Sequence, residues 1–242
     1  MDKWVLVTGG ARGLGMAISL RFAKEGYNVI VAYNKSSDLA SNLKDIINKK
    51  YNKEVLLVKV DVSREEEVKK MFDIIKDKGI YIDSIINNAA ISLDNSLSDK
   101  DALEFKRVLD VNLVGTFLVI KYSRKLMKKG SIVNIASTNG IDTGYIESVD
   151  YDASKAGVIA ISHDFAKVLG PDIRINVLAP GWIMTSMNES ISPIFKKEEE
   201  QKIILKRFAY PEEIANVVYF LCSDEASYVN DAVIRVDGGY NG

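Results

Sequence analysis

The chain is expected to fold as a single α/β domain, a doubly wound parallel sheet covered by helices on both faces. Three observations carry this expectation: short apolar runs recur along the chain, amphipathic stretches separate them, and a glycine-punctuated turn follows the first run directly. The runs are nearly continuous Val, Ile and Leu, as strands buried on both faces should be. Their regular alternation with helical patterns calls for crossover helices and a parallel sheet. At 242 residues the chain is long enough for one substantial core, so one domain over 1–242 is expected.

In order, strands are expected at 4–7, 29–33, 55–60, 84–86, 131–135, 174–177 and 233–236. Helical periodicity predicts helices at 14–25, 37–50, 64–78, 100–128, 151–169 and 211–222. Pro211 ahead of Glu212 and Glu213 makes a good first helical turn, because proline needs no amide partner there and the acids face the positive end of the helix dipole. Residues 181–206 break the alternation with Met, Ser and Asn before a charged run. A departure of that length is a candidate lid or binding loop.

Composition excludes several classes of function. Hydrophobic residues make up 47% and charged residues 27%, the profile of a soluble globular protein. The net charge is −1 and no basic block occurs, so no nucleic-acid partner is expected. Lys196-Lys197-Glu198-Glu199-Glu200 reads as a solvated helix end, its charges facing water. No apolar stretch of about 18 residues exists, so no membrane span is expected. A strand-like run begins at Trp4 with no long apolar segment before it, so no signal peptide is expected. Cys222 is the only cysteine; it excludes an intrachain disulfide, suits a cytoplasmic protein, and sits in an apolar run as a buried structural thiol. His163, the only histidine, cannot build a multi-histidine site, so no metal is assigned.

The strand-to-helix turn Thr8-Gly9-Gly10-Ala11-Arg12-Gly13-Leu14-Gly15 has the features of a dinucleotide cradle. Glycines let the backbone turn sharply and approach a pyrophosphate, while the free amides and the helix dipole favour the anion. The acid that would accept from a free ribose 2′-hydroxyl is missing. The second strand ends Tyr33-Asn34-Lys35-Ser36, with no carboxylate before Asp38. Arg12 and Lys35 instead suit a 2′-phosphate, which makes NADP the expected cofactor and NAD the runner-up.

Farther on stand Asn112, Ser137, Tyr151 and Lys155. Reducing a ketone needs a proton for the oxygen as hydride reaches the carbon. A free tyrosine has a pKa of about 10, and a neighbouring cation should lower it. Residues four apart share a helix face, so Lys155 stands beside Tyr151. Ser137, just past an apolar strand, is placed to hydrogen-bond the carbonyl oxygen.

These motifs together resemble the short-chain dehydrogenase/reductase family over nearly the whole chain. Thr8-Gly9-x3-Gly13-x-Gly15 resembles its cofactor turn, Asp61-Val62 its adenine contact, and Asn87-Asn88-Ala89-Ala90 the segment after its fourth strand. Pro180-Gly181-Trp182-Ile183-x-Thr185 resembles the segment that meets the nicotinamide carboxamide, and Val236-Asp237-Gly238-Gly239 its last strand. The resemblance implies a Rossmann-fold oxidoreductase interconverting a ketone and a secondary alcohol, with the four residues above as its catalytic set. It further implies that Lys155 holds the nicotinamide ribose, and that Asn112 shapes the backbone and holds a proton-relaying water. Asn88, Ala89, Tyr151 and Lys155 are accordingly expected at the cofactor.

The texture is nearest the 3-oxoacyl-(acyl-carrier-protein) reductases, and is shared with sugar and other alcohol dehydrogenases. Small-molecule and thioester carbonyls are therefore both expected substrates. A cofactor-binding sensor without turnover is the alternative, and the intact catalytic set speaks against it. Ala90 stands where the family has glycine, which narrows the approach by one methyl group. Apolar residues lie on more than one face of the helices at 100–128 and 151–169, so a second face must be buried somewhere, and the resemblance implies that it is buried in a homotetramer, with a dimer as runner-up.

Overall fold

The computed structural model describes residues 2–185 and 191–241. The strands are β1 (Trp4–Thr8), β2 (Asn28–Tyr33), β3 (Val55–Lys59), β4 (Ser84–Asn87), β5 (Gly130–Ile135), β6 (Ile173–Pro180) and β7 (Val233–Val236). All pair in parallel, in the order β3-β2-β1-β4-β5-β6-β7. The helices are α1 (Gly13–Lys24), α2 (Ser37–Tyr51), α3 (Glu65–Asp77), α4 (Ala102–Leu109), α5 (Gly115–Ser123), α6 (Val149–Leu169), α7 (Pro193–Lys202) and α8 (Pro211–Cys222).

Side chains alternate across a strand, so consecutive apolar residues of β1 serve opposite layers. Leu6 joins Ile30, Ile85 and Ile132 against α3 and α5 through Met71, Phe72, Leu118 and Val119. Val5 and Val7 join Val31, Ile86 and Val133 against α1, α2 and α8 through Phe22, Leu43, Ile47 and Val218. This two-sided burial is why the strands read as unbroken apolar runs. It is the doubly wound Rossmann arrangement, and the strand order reverses between β1 and β4. Ligands of such sheets bind outside the carboxyl ends of the strands at that switch point.

The single helix predicted over 100–128 is instead two. A π-turn at Asp110–Val114 separates α4 from α5. Thr116 Oγ1 donates to the carbonyl of Asn112 at 2.8 Å within the turn, and Asn112 is 1% exposed. One inserted residue rotates the apolar stripe by about 100°, so the stretch reads as one helix apolar on more than one face. The charged run after residue 192 does form a helix. Ser192 caps α7 by accepting from the amide of Phe195 at 3.2 Å, and Pro193 opens it. Glu199 on that helix is 1% exposed, which corrects the reading of the run's charges as facing water. Part of the candidate lid, 186–190, lies outside the described residues.

Candidate active site

One long cavity of 1210 Å³ runs along the carboxyl ends of the strands, from Arg12 and Lys35 to Ser137, Tyr151 and Tyr145. It is larger than the pockets that enclose one drug-sized ligand, which reach about 1,000 Å³. At one end lies the glycine turn. Gly9 has φ +62°, a conformation that a side chain disfavours, and a Cβ on Gly15 would stand 2.2 Å from the Gly9 carbonyl oxygen. At Gly13 the nearest atom to an added Cβ would be Thr185 Cβ, 3.6 Å away across the cavity. The cradle therefore leaves backbone open to a ligand, as a dinucleotide phosphate requires.

The turn is pinned from below. Thr8 Oγ1 accepts from the amides of Asn88 at 3.0 Å and Ala89 at 3.1 Å, and Asn88 Nδ2 donates to the carbonyl oxygens of Thr8 at 3.0 Å and Gly9 at 3.3 Å. Thr8 and Gly10 are thus set back from the cavity and hold its shape. Gly9, Arg12, Gly13, Leu14, Gly15, Lys35, Asp61, Val62, Asn88, Ala89, Pro180, Gly181, Ile183 and Thr185 all line it. Ala90 lines it as well, with its extra methyl group.

Arg12 and Lys35 are exposed and make no ion pair with the described residues. Both cations are therefore available to an anionic ligand on that wall. Asp61 is oriented by Ser63, whose hydroxyl donates to it at 2.6 Å and whose amide donates at 3.1 Å. Burial pushes the Asp61 carboxyl up, but the hydrogen bonds from Ser63 and Asn34 outweigh it and hold it below the usual carboxylate range. It is an anion on the wall beside Val62.

At the other end α6 brings Tyr151 and Lys155 together, with Lys155 Nζ 5.3 Å from the centre of the tyrosine ring. Lys155 is 3% exposed and donates to the Ile135 carbonyl at 2.8 Å. Burial lowers its pKa from the ordinary 10.5 to about 8. Tyr151 does not follow the expected downward shift: burial raises it to about 12, with the Ser137 hydrogen bond pulling the other way and the charges of Asp152 and Asp94 adding to the rise. Desolvation outweighs that hydrogen bond and sets the direction. Tyr151 therefore holds its proton through the neutral range, as a proton donor must.

Ser137 sits past the end of β5, where its hydroxyl donates to Asn139 Oδ1 at 3.2 Å and accepts from the Asn139 amide at 3.2 Å. Asn112 stands behind this group and does not line the cavity. Its Oδ1 accepts from the amide of Ile91 at 2.9 Å, and its Nδ2 donates to the Ile91 carbonyl at 2.9 Å and to Ser154 Oγ at 3.0 Å. Ser154 donates in turn to the Tyr151 carbonyl at 2.7 Å. The Asn112 side chain thereby ties the loop after β4 to the helix carrying Tyr151.

Other supporting residues were not legible as site residues. Asn139 Nδ2 donates to Asp152 at 2.7 Å and so fixes Ser137 against α6. Lys100 and Asp150 form a buried ion pair at 2.8 Å; Lys100 also donates to the Leu93 carbonyl at 2.6 Å, and Asp150 accepts from the Tyr151 amide at 2.9 Å. The available signal was position: Asn139 follows Ser137 by two, and Asp150 and Asp152 flank Tyr151. Cys222 is half-buried, with burial raising its thiol to about 12, so it is not a thiolate nucleophile. His163 lies 2.5 Å from Asp231 Oδ1, far along α6 from Tyr151.

A family model described as enoyl-(acyl carrier protein) reductase matches residues 9–241. The 3-oxoacyl-(acyl-carrier-protein) reductase FabG of Aquifex aeolicus is 41% identical over 241 residues, covering 98% of this chain and 96% of the relative. That of Thermotoga maritima is 39% identical over 247 residues, covering 98% and 97%. Among solved structures, a dehydrogenase/reductase from Sinorhizobium meliloti superposes with a TM-score of 0.94 at 26% identity, covering 100% of this chain and 96% of that one. A short-chain dehydrogenase from Burkholderia cenocepacia in complex with NADP gives 0.93 at 27% identity, covering 99% and 98%.

Proposed function

The chain belongs to the short-chain dehydrogenase/reductase family, and from that premise we propose that it reduces a 3-oxoacyl thioester, carried on an acyl-carrier protein, to the 3-hydroxyacyl form with NADPH. It is an NAD(P)-dependent oxidoreductase whose cofactor is NADP, and we read residues 1–242 as a single cofactor-binding domain. The observation that carries the reading is one cavity with a glycine cradle and two exposed cations at one end and Ser137, Tyr151 and Lys155 at the other.

The glycine turn, with Arg12 and Lys35 beside it, would hold the phosphates, Asp61 and Val62 the adenine end, and Lys155 with Pro180–Thr185 the nicotinamide end. When bound, the cofactor supplies the hydride. Ser137 donates a hydrogen bond to the substrate carbonyl and fixes its angle. Tyr151 gives its phenolic proton to that oxygen as negative charge develops on it. The Lys155 ammonium, already beside the ring, stabilises the tyrosinate left behind.

Two further features support assembly and location. Phe117 is 40% exposed and Val114 37% on the α5 side, and Val168 on α6 is 62% exposed, an apolar surface suited to a second copy. We read the protein as a homotetramer, with a dimer as runner-up; light scattering that finds a stable monomer at micromolar concentration refutes both. No helix among the described residues is long and apolar enough to cross a membrane, and the lone cysteine suits the cytoplasm.

The test of function is consumption of NADPH with a panel of 3-oxoacyl thioesters, plain ketones and sugars. Turnover fastest on 3-oxoacyl thioesters is expected. Activity confined to sugars moves the protein to the sugar dehydrogenases of the family, and none on any carbonyl makes it a cofactor-binding sensor.

A further inference from the structure

We propose that Glu199 latches an aromatic wall across the substrate end of the cavity and so limits the length of the acyl chain the enzyme accepts. The proposal rests on the reading of the site as a carbonyl reductase acting on 3-oxoacyl thioesters.

The helix α7 has little of its own to hold it down. Its residues are mostly charged, and Ile194 is 74% exposed. Yet Glu199 points inward and is 1% exposed. A buried carboxylate persists only when its oxygens are satisfied. Here Tyr145 OH donates to Oε2 at 2.7 Å, Tyr240 OH at 2.6 Å and Trp182 Nε1 at 3.0 Å, while Lys202 Nζ donates to Oε1 at 2.7 Å. These donors come from the loop before α6, the C-terminal segment, the segment after β6, and α7 itself. Burial pushes the Glu199 carboxyl up, but the four donors together hold it below the usual range, so the latch is an anion at neutral pH.

The same bonds hold Tyr145 and Trp182, which meet each other and Phe195 of α7 edge to face. Tyr145 and Trp182 have centroids 5.8 Å apart, Tyr145 and Phe195 6.2 Å, and Trp182 and Phe195 5.9 Å. Rings at those spacings are in contact, and no methylene chain passes between them. All three line the cavity. Their distance from the reacting carbonyl is fixed as well: the Tyr145 amide donates to Asp152 at 3.2 Å, and Asp152 accepts from Asn139, the partner of Ser137. A short acyl chain stops before the wall. A long one has to displace α7 against the three hydrogen bonds that reach the Glu199 carboxylate from outside the helix.

Glu199 is thus a positioning residue that sets specificity without touching substrate. The experiment compares kcat/KM for 3-oxobutanoyl and 3-oxododecanoyl thioesters in the parent, Glu199→Gln, Glu199→Ala and Phe195→Ala enzymes. The parent is expected to prefer the short chain. Glu199→Ala and Phe195→Ala should each raise the long-to-short ratio by about tenfold or more, the scale on which a pocket wall discriminates methylenes. Glu199→Gln, which keeps an acceptor oxygen, should stay nearer the parent. NADPH affinity should not move, and Trp182 fluorescence should shift in Glu199→Ala. Phe195→Ala leaves the carboxylate and its donors in place, so it still tests the wall where Glu199→Ala does not fold. A parent that prefers the long chain, or a ratio unmoved in every folded variant, overturns the proposal. If the parent reduces plain ketones and no thioester, the thioester reading fails, and the ratio taken on 2-butanone and 2-octanone still decides the latch.

Discussion

Lys155 should cost the folded protein stability at neutral pH. Burial lowers its pKa from 10.5 to about 8, so the folded state binds the lysine proton more weakly than the unfolded chain does. Below pH 8 both states carry the charge and the full penalty is present. Between the two values the unfolded state binds more protons, so stability rises with pH and the penalty fades. The shift corresponds to about 3 kcal/mol at pH 7 and under about 1 kcal/mol at pH 10. Lys155→Met removes the charge and keeps the volume, but forfeits the hydrogen bond to the Ile135 carbonyl, roughly 1 kcal/mol. The variant should therefore be inactive yet more stable than the parent by about 2 kcal/mol at pH 7, with no gain left at pH 10. Urea unfolding of both proteins without cofactor, at equal concentration and at each pH, measures this. A Met variant that is less stable at pH 7, or whose advantage does not shrink at pH 10, shows that the buried ammonium is not under the strain inferred here.

Three other outcomes follow from the site. Tyr151→Phe should lose on the order of 10²- to 10⁴-fold in kcat with NADPH affinity little changed, and near-parental turnover on a good substrate removes it as the proton donor. Arg12→Ala should weaken NADPH binding about ten- to hundredfold and leave NADH almost untouched, since one charge-assisted bond is worth roughly 1.5–3 kcal/mol; equal effects on the two cofactors would place the arginine elsewhere than on the 2′-phosphate. Gly15→Ala should abolish cofactor binding in titrations, because its Cβ would stand 2.2 Å from the Gly9 carbonyl oxygen and the turn must open to admit it.

What could be read from the sequence follows from what its patterns report. The strands were legible because both faces of the sheet are covered, so Val5, Leu6 and Val7 must all be apolar. The glycine turn was legible because Gly15 meets backbone, a constraint only glycine satisfies, and the pairing of Tyr151 with Lys155 because a helix fixes what four residues of separation means. Where the reading failed, the deciding term came from contacts distant in sequence. Tyr151 lies beside a cation, but desolvation governs its pKa, and desolvation depends on the whole wall of the cavity. The π-turn around Asn112 adds one residue to a helix and rotates its apolar stripe by about 100°, and within it Asn112 bonds Ile91 and Ser154, 21 and 42 positions away.

Glu199 is the sharpest instance. Within Lys196-Lys197-Glu198-Glu199-Glu200 nothing distinguishes it from its neighbours, and the ordinary expectation for such a run is solvent. Its donors are Tyr145, 54 positions before it, Trp182, 17 before, and Tyr240, 41 after, with only Lys202 nearby. A charged residue becomes readable as buried only when its partners are known, and those partners are supplied by the fold. Residues whose chemistry is local, such as the glycines and the tyrosine-lysine pair, therefore identify the reaction. Residues whose chemistry is assembled across the fold, as that of Glu199 is, would set how large a substrate reaches it.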